Sequence, residues 1–358
     1  MTRARATYRV YGLNQSFFTR KLTGYLDYKE IPYVLRRFGG LNPVITAAGW
    51  PGGIPAVQTP DGVFMWDSTA VIHHLEMRFG DRLVVPPDPV QRFLCYVIED
   101  FADEWLYRVA VGSRWFFEEN ASVGGYELAR EISAEVPTTC DQVFAIVRAH
   151  MTSSCPPMGV TEGSIGTWID EVLKPWLRVL DAVLSQQPFL FGARPSLADF
   201  AVFGANAAHL LNDPLCRRWT EQEAAAVVTH THRLLEPEPD SFGAWSVPTE
   251  LPETLVALLA DLGRLYLPWV SRATLDGVAD VSFERRPPVP VRATDFLIEA
   301  RGILLARYRQ ERCKALDAAL ARAGILTYFA DFVEHATGIP DYTAPPRPRL
   351  NRPFPANL

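Results

Sequence analysis

Two β-prone runs separated by one amphipathic helix constrain this fold more than any other feature of the sequence. Residues 7–11 (TYRVY) and 33–38 (YVLRRF) are rich in β-branched and aromatic side chains. Between them, four apolar residues recur at helical spacing and form one face: Phe18, Leu22, Tyr25 and Leu26. A strand, a helix and a strand in about 30 residues form a βαβ unit, so the two strands are predicted to be parallel.

A β-hairpin and a second helix follow this unit. Residues 56–59 and 63–66 are short β-prone runs joined by Pro60-Asp61-Gly62, a strong turn sequence. Asp67 or Ser68 is positioned to cap a helix that ends near Gly80. The first 80 residues therefore predict the order β-α-β-β-β-α, with the strands in a small mixed sheet of α/β type.

Beyond the proline-rich segment 84–89 (VVPPDP), almost the whole sequence is predicted to be helical. Long helices are predicted at 90–118, 167–186, 196–211, 252–272 and 292–336. Pro175 is predicted to kink the second of these or to mark its start. Segments 236–240 and 284–290 are interpreted as linkers, and the proline-rich tail after residue 339 as extended chain.

Charge and cysteine usage exclude several classes of function. The formal net charge is −6, without a block of like charges, which argues against nucleic-acid binding. The sequence lacks both a signal peptide's apolar run and a stretch of about 18 apolar residues, so no membrane span is expected. Five cysteines at irregular spacings, without a C-x-x-C pair, predict reduced thiols in the cytoplasm and no metal site.

Three short segments of the first 80 residues are typical of a ligand site. Ser16 begins the first helix, where a hydroxyl either caps the helix or faces a ligand at its N-terminus. Ile54-Pro55 precedes a strand, and a cis bond there would present the backbone of Ile54 to a ligand. Asp67-Ser68 begins the second helix, as a cap or as a holder for an amino-acid head group. For each segment the residues alone leave both alternatives open.

Together these motifs resemble the glutathione transferase superfamily. The matching stretches are SFFTRKL, GGIPAVQTPDGVFMWDSTAVIHHLE and, in the helical half, QPFLFGARPSLADFAVFG. The resemblance implies a thioredoxin-like glutathione-binding domain (1–86), an all-α domain like the C-terminal domain of the family (87–235), and a helical extension with a proline-rich tail (236–358). Long bacterial members of the serine/cysteine type are the most similar in layout.

The resemblance also implies roles for individual residues. Ser16 is the expected catalytic residue, because it stands where such members hold the sulfur of glutathione, and Thr19 then belongs to the first helical turn. Asp67 and Ser68 are expected to hold the γ-glutamyl head. Two further positions complete the expected glutathione site: Phe18, and Ile54-Pro55, whose Ile54 would pair through its backbone with the cysteinyl unit.

The function that follows is activation of the glutathione thiolate for attack on an electrophilic small molecule. Glutathione is the expected co-substrate and a homodimer the expected assembly, with no metal, nucleic acid or membrane as partner. Ser16 favours conjugation over disulfide reduction, because a cysteine is what supports a mixed disulfide. Two alternatives stay open: a glutathione-dependent isomerase or reductase, and a non-catalytic protein-interaction scaffold.

Two departures from the family pattern bear on glutathione affinity. Many members carry Lys or Gln shortly before the proline dipeptide, for the glycyl carboxylate, whereas this chain has Trp50-Pro51-Gly52-Gly53. The candidate replacements are Arg36, Arg37, Lys21 or a residue of the second domain, and the sequence does not choose between them. The segment 39–52 is also short, and it is predicted to be a loop where the family usually has a helix.

The remaining polar and aromatic motifs are interpreted as structural. Ser196 and Asp199 form a capping-box-like pair that starts a buried helix. The acidic stretch 99–104 (EDFADE) is interpreted as a solvated or dimer-facing side. Four aromatics on the long helix are assigned to the core, with a second-substrate site as the alternative: Tyr96, Trp105, Tyr107 and Trp115. Cys95 is interpreted as a buried thiol. His73 and His74, which are adjacent to each other, are interpreted as packed or surface residues.

Overall fold

The computed structural model describes residues 6–37, 53–238, 241–246 and 250–335. The predicted loop over 39–52 and the proline-rich tail after residue 339 lie outside these ranges. Of the linker predicted at 236–240, only the first three residues are described.

The first 80 residues form the predicted mixed sheet with two helices. The strands are β1 (Tyr8–Gly12), β2 (Tyr33–Arg37), β3 (Ala56–Gln58) and β4 (Phe64–Trp66), and the helices are α1 (Phe17–Tyr28) and α2 (Ser68–Arg78). Their order in the sheet is β2-β1-β3-β4. β1 and β2 are parallel, whereas β1–β3 and β3–β4 are antiparallel. Among the described residues, the order β-α-β-β-β-α and the parallel pair are therefore confirmed.

The rest of the described chain is mostly helical, as predicted. The α-helices are α3 (Pro89–Phe101), α4 (Tyr107–Phe116), α5 (Glu118–Asn120), α6 (Tyr126–Ser133), α7 (Cys140–Ser154), α8 (Ile165–Trp168), α9 (Lys174–Leu184), α10 (Leu197–Ala205), α11 (Pro214–Glu223), α12 (Ala225–Leu235), α13 (Glu253–Leu262), α14 (Tyr266–Asp276), α15 (Asp295–Glu311), α16 (Lys314–Arg322) and α17 (Thr327–His335). A short 3₁₀ turn also occurs at Pro156–Met158.

Wider π-type turns interrupt several of the predicted long helices. They lie at Ala102–Leu106, Ala121–Gly125, Ile169–Leu173 and Asn206–Leu210. The first divides the predicted helix 90–118 into α3 and α4, so that helix is not continuous. The third ends just before α9, where Pro175 occupies the first turn and has no N–H to donate to the preceding turn. Pro175 thus marks the start of a regular helix, one of its two predicted roles.

The C-terminal extension differs from its prediction, because it is not purely helical. β5 (Val278–Val281) and β6 (Val289–Arg292) form an antiparallel hairpin. Segment 284–290, interpreted as a linker, is the loop of this hairpin and the start of β6. The hairpin forms because Val281 and Val291 alternate into the core, where both are fully buried, and Val291 accepts a hydrogen bond from the Trp269 indole at 3.3 Å.

The extension packs on the helical part and shares its core. Phe93 of α3 contacts the rings of Tyr308 and Phe329, with ring centroids 5.5 and 5.2 Å apart. Arg92 adds a two-point ion pair to Glu311, at 2.7 and 2.6 Å. Within the described part of the chain, no helix is both long and apolar enough to cross a membrane.

Candidate functional site

The strand register brings one end of each of three strands to a common edge of the sheet. Tyr11 lies opposite Ala56, so the carboxyl end of β1 lies beside the start of β3. Ala56 also lies opposite Trp66, so the carboxyl end of β4 reaches the same edge. The chain segments that leave or enter the sheet there must therefore be neighbours.

All three segments predicted from the sequence meet at this edge. Ser16 follows β1 and starts α1, Ile54-Pro55 precedes β3, and Asp67-Ser68 follows β4 and starts α2. The Ile54–Pro55 peptide bond is cis, as expected. Two helix N-termini, the positive ends of the helix dipoles, thus lie at the edge where the backbone of Ile54 enters the sheet.

A cleft of about 450 Å³ opens between this edge and the helical part. We call the side formed by the first domain the near wall, which consists of Phe18, Gly53, Ile54, Pro55, Trp66, Asp67 and Ser68. We call the opposite side the far wall, which consists of Asp103, Glu104, Tyr107, Arg108, Met158, Thr294 and Phe296. The extension therefore contributes to the cleft through Thr294 and Phe296, which sequence reasoning did not anticipate.

Five of the predicted glutathione-site residues line the near wall, whereas Ser16 does not line the cleft. Ser16 is half-buried and caps α1, since its Oγ accepts a hydrogen bond from the N–H of Thr19 at 3.4 Å. Within the described residues this hydroxyl donates no hydrogen bond, so its proton is available. Thr19 is fully buried in the first turn of α1, as expected. The catalytic assignment of Ser16 stays a prediction.

The loop before Ser16 is held by residues far away in the sequence. The Glu131 carboxylate accepts hydrogen bonds from the N–H groups of Asn14 and Gln15, at 2.9 and 3.2 Å. Arg114, which is buried and paired with Asp213 at 3.0 Å, donates to the Gln15 carbonyl at 2.8 Å. Nothing in the local sequence around either anchor identifies it, because only the tertiary fold brings them to this loop.

Asp67 and Ser68 combine a capping role with an open face towards the cleft. The Asp67 carboxylate accepts hydrogen bonds from the N–H groups of Thr69 and Ala70, at 3.1 and 3.3 Å. Burial raises the pKa of Asp67 above its ordinary value, although the Ala70 N–H and the charge of Lys21 oppose that rise. The Ser68 hydroxyl forms no side-chain hydrogen bond within the described chain and keeps surface in the cleft.

The interpretation of the acidic stretch 99–104 as solvated or dimer-facing is wrong. Glu99, Asp100 and Asp103 are 6%, 6% and 9% exposed. Lys21, fully buried, donates to Glu99 at 2.7 Å and to Asp103 at 2.5 Å. The stretch turns inward because this lysine from α1 offers a buried positive charge. The sequence alone had made Lys21 a candidate to bind the glycyl carboxylate of glutathione. Lys21 is therefore not the missing cation of the glycyl subsite.

This buried cluster joins the first domain to the helical part. Burial alone would lower the pKa of Lys21, but the carboxylates of Asp103 and Glu99 outweigh it and raise the pKa. Burial raises the pKa of Asp103. The charge of Lys21 lowers this pKa, but the carboxylates of Glu99 and Asp67 raise it, so the net direction is upward. Thr69 completes the cluster, accepting from Lys21 at 2.9 Å and donating to Glu99.

The π-type turn Ala102–Leu106 and the start of α4 present two further ionisable residues to the cleft. The Glu104 carboxyl has no hydrogen-bond or ion-pair partner among the described residues, and burial raises its pKa from 4.5 to about 8. Arg108, one turn later, is 4% exposed. Of the four aromatics considered on this helix, Tyr107 lines the cleft, whereas Tyr96, Trp105 and Trp115 are buried in the core.

The capping-box pair Ser196 and Asp199, Cys95 and His73 occupy buried structural positions, as predicted. Asp199 is fully buried and accepts from the N–H groups of Leu190 and Ser196, at 2.9 and 2.7 Å, and from the Ser196 hydroxyl at 2.6 Å. Cys95 is buried, and burial raises the pKa of its thiol to about 12. His73 packs against Tyr96, and the described residues contain no group of side chains arranged to hold a metal ion.

Comparison with known proteins finds a family match within the first domain. Residues 10–83 match the family model for the glutathione S-transferase N-terminal domain. Maleylacetoacetate isomerase from Pseudomonas aeruginosa is 24% identical over 176 residues, which cover 49% of this chain and 66% of that protein. The matched region is therefore slightly less than two thirds of the relative's length.

Two solved structures are similar over a large part of the chain. Glutathione S-transferase from Methylobacterium radiotolerans, in complex with glutathione sulfonate, is 17% identical and covers 69% of this chain and 99% of its own, with a TM-score of 0.41. A glutathione S-transferase-like protein from Pseudomonas syringae is 18% identical and covers 69% of this chain and 78% of its own, with a TM-score of 0.44.

The fold and cleft define a protein with a thioredoxin-like domain joined to a mostly helical part, as the sequence predicted. The matched residues 10–83 contain most of the domain built from β1 to β4, α1 and α2, and they make up about a fifth of the chain.

Proposed function

We propose that this protein is a glutathione transferase-type enzyme that activates the thiolate of glutathione for attack on an electrophilic small molecule. The observation that carries the proposal is the near wall, where the Ile54 backbone, the Asp67 carboxylate and the Ser68 hydroxyl lie at one edge of a thioredoxin-like sheet. Backbone groups suit the cysteinyl unit of a peptide. The Asp67-Ser68 helix start suits an amino-acid head group carrying both charges.

In this proposal Ser16 stabilises the thiolate. A free thiol has a pKa of about 8.5, so only a few per cent of it is ionised at neutral pH. Ser16 caps α1, and within the described residues its hydroxyl donates no hydrogen bond, so it can donate to a thiolate near the positive end of the helix dipole. Lowering the thiol pKa by about two units corresponds to about 2.7 kcal/mol of preferential stabilisation of the thiolate.

The finer assignments are parts of the same proposal. Phe18 packs beside the tripeptide, and Arg37, exposed at the end of β2, is the candidate for the glycyl carboxylate because β2 runs parallel to β1 and ends at the same edge. Residues 1–86 form the glutathione-binding domain, while 87–235 and 236–358 supply the far wall for the electrophile. The enzyme acts as a cytoplasmic homodimer without a metal.

A glutathione-dependent isomerisation is the second candidate function. It is favoured by one observation, the similarity of about half of the chain to maleylacetoacetate isomerase. Both reactions begin with the same thiolate, so both depend on the near wall. They differ in whether the carbon–sulfur bond formed in the first step is kept in the product or broken again to release glutathione.

Calorimetric titration of glutathione, combined with ultraviolet absorbance of bound thiolate, tests the proposal. We expect millimolar or tighter binding and a thiolate signal near neutral pH in the wild type. Ser16→Ala should retain binding but lose most of the thiolate, whereas Asp67→Asn and Ser68→Ala should weaken binding itself. Thr139→Ala is the matched control, because Thr139 caps α7 in the same way at an exposed site that does not line the cleft.

Two outcomes would contradict the proposal. If wild-type protein binds no glutathione, the non-catalytic scaffold becomes the better account, and Ser16 is only a cap. If Ser16→Ala and wild type show the same thiolate absorbance, the protein can still be a glutathione transferase-type enzyme, but Ser16 is not the residue that stabilises its thiolate.

A further inference from the structure

Arg108 is a buried cation without an ion-pair partner among the described residues. Its residue is 4% exposed, and no carboxylate forms an ion pair with it among the described residues. Its Nε donates to the Glu104 backbone carbonyl at 2.8 Å and its Nη1 to the Met158 carbonyl at 3.3 Å. Buried charges are normally paired, since removing an ion from water costs several kcal/mol.

The free end of this guanidinium faces the cleft. Nη2 forms no hydrogen bond within the described chain, yet it is not among the fully buried polar atoms, so it keeps accessible surface where Arg108 lines the cleft. The guanidinium lies over the Trp269 ring, 4.6 Å from its centroid. This stacking fixes the plane of the group and offsets part of the cost of burial.

The surroundings of Arg108 favour an anion on an otherwise apolar molecule. Most cleft-lining residues are apolar or aromatic, and Tyr107, Met158 and Phe296 line the far wall together with Arg108. The near wall, where the peptide units of glutathione are assigned, lies on the opposite side. The two hydrogen bonds named above use two of the five N–H bonds of the guanidinium, so both N–H bonds of Nη2 are left for a carboxylate, whose geometry matches this planar donor.

We propose that the second substrate carries a carboxylate, and that Arg108 binds it on the far wall of the cleft. This inference rests on the proposed function for calling the ligand a second substrate, but the binding site itself does not require glutathione. The substrate class is an aromatic or alkyl electrophile with one carboxylate. Its apolar body packs on Tyr107 and Phe296 while its reactive carbon faces the near wall.

Glu104 makes this site dependent on pH. Burial raises the pKa of Glu104 to about 8, so below that pH the carboxyl is neutral and leaves the charge of Arg108 uncompensated. Above that pH Glu104 ionises and repels a bound anion, so anion affinity must fall as pH rises. The groups whose charges act on Glu104 are Asp100, Arg108, Asp103 and Glu99 on its own helical run and Tyr266 on α14.

Benzoate and benzamide, titrated calorimetrically in the absence of glutathione, test the site directly. The two probes have nearly the same shape and differ in charge. We expect wild-type protein to bind benzoate at least about tenfold more tightly than benzamide at pH 7, and Arg108→Met to lose this preference. Arg108→Lys should keep part of it. Arg178→Met is the control, since Arg178 is exposed on α9 and does not line the cleft.

A second arm keeps the proposal testable if Arg108→Met does not fold. Wild-type benzoate affinity should fall between pH 7 and pH 9, while Glu104→Gln should keep its affinity over the same range. Equal binding of the two probes by the wild type, or an unchanged preference in Arg108→Met, would overturn the proposal. So would an identical fall with pH in Glu104→Gln and the wild type.

The outcomes also separate this proposal from the proposed function. Glutathione binding without a preference for benzoate would overturn the Arg108 site alone. A preference for benzoate that depends on Arg108, in a protein that binds no glutathione, would keep the anion site and reject the transferase function.

Discussion

The near wall and the far wall line the same cleft, but they present different kinds of chemical group to it. The near wall presents backbone groups and short side chains at helix N-termini, all fixed by the register of β1, β3 and β4. The far wall presents the ends of long side chains, such as Glu104 and Arg108, from a π-type turn and the helix after it. A rigid backbone edge suits a ligand that never changes, whereas side-chain ends suit one that differs between proteins of the same fold.

The largest effect is expected where the two walls are joined. Lys21→Met leaves Glu99 and Asp103 buried without their counter-charge, which should lower the free energy of unfolding by about 3–5 kcal/mol. Chemical denaturation at pH 7 measures this loss. The loss should shrink as the pH falls, because protonation removes the buried negative charges that Lys21 had neutralised.

Lys174→Met is the control for this change. Lys174 pairs with Asp170 on the surface of a helix at 2.8 Å, a kind of pair that contributes about 0.3–0.5 kcal/mol. If Lys21→Met costs no more than Lys174→Met, the buried cluster does not hold the walls together.

The near wall could be predicted from the sequence because each of its parts has a local signal. The turn Pro60-Asp61-Gly62 fixes the hairpin, and Ser16 and Asp67 mark helix starts by their capping chemistry. Strand pairing then brings these parts together by a rule that needs only the order of elements. The catalytic role predicted for Ser16 depended least on a local signal, and Ser16 is not among the residues that line the cleft.

The far wall could not be predicted in the same way. The sequence 99–104 has the pattern of an exposed acidic helix face, and only the distant Lys21 makes it buried. The π-type turn that carries Asp103 and Glu104 has no sequence signature. Phe296 follows the hairpin β5–β6, which the sequence did not predict. Short strands between helices give a weaker periodic signal than long helices do.

An intermediate effect is expected where α1 of the first domain packs closely on α10. A Cβ added at Gly204 would lie 2.7 Å from the Phe17 carbonyl oxygen and 3.0 Å from the Lys21 Cβ, so Gly204→Ala must push α1 away. We expect a loss of about 1–3 kcal/mol in the free energy of unfolding, since overpacking outweighs the gain in helix propensity. Glutathione affinity should fall with it, because α1 carries Phe18, while benzoate binding at Arg108 should persist.

Gly166→Ala provides the matched control, because a Cβ there would meet no atom within 4 Å. It should be neutral or slightly stabilising and should change neither ligand's affinity. Equal losses of glutathione and benzoate binding in Gly204→Ala would show that the two walls do not respond separately, and would break the comparison between them.

The smallest effect is expected at the outer end of the far wall. Phe296 is 47% exposed, so Phe296→Ala should change the free energy of unfolding by less than about 1 kcal/mol. Its ring is nevertheless part of the cleft, and losing about 1 kcal/mol of apolar contact with a bound electrophile corresponds to a KM about fivefold higher. Chlorodinitrobenzene, an aromatic electrophile without a carboxylate, is a suitable probe because its binding does not involve Arg108.

The dissociation constant of glutathione should stay unchanged in Phe296→Ala, since the near wall keeps every group that is assigned to the tripeptide. Leu275→Ala is the control, because Leu275 is 68% exposed on α14 and does not line the cleft. If Phe296→Ala weakens glutathione binding as much as it raises the KM of the electrophile, the extension supports the near wall as well. The division of the cleft into one wall for the thiol and one for the electrophile would then be wrong.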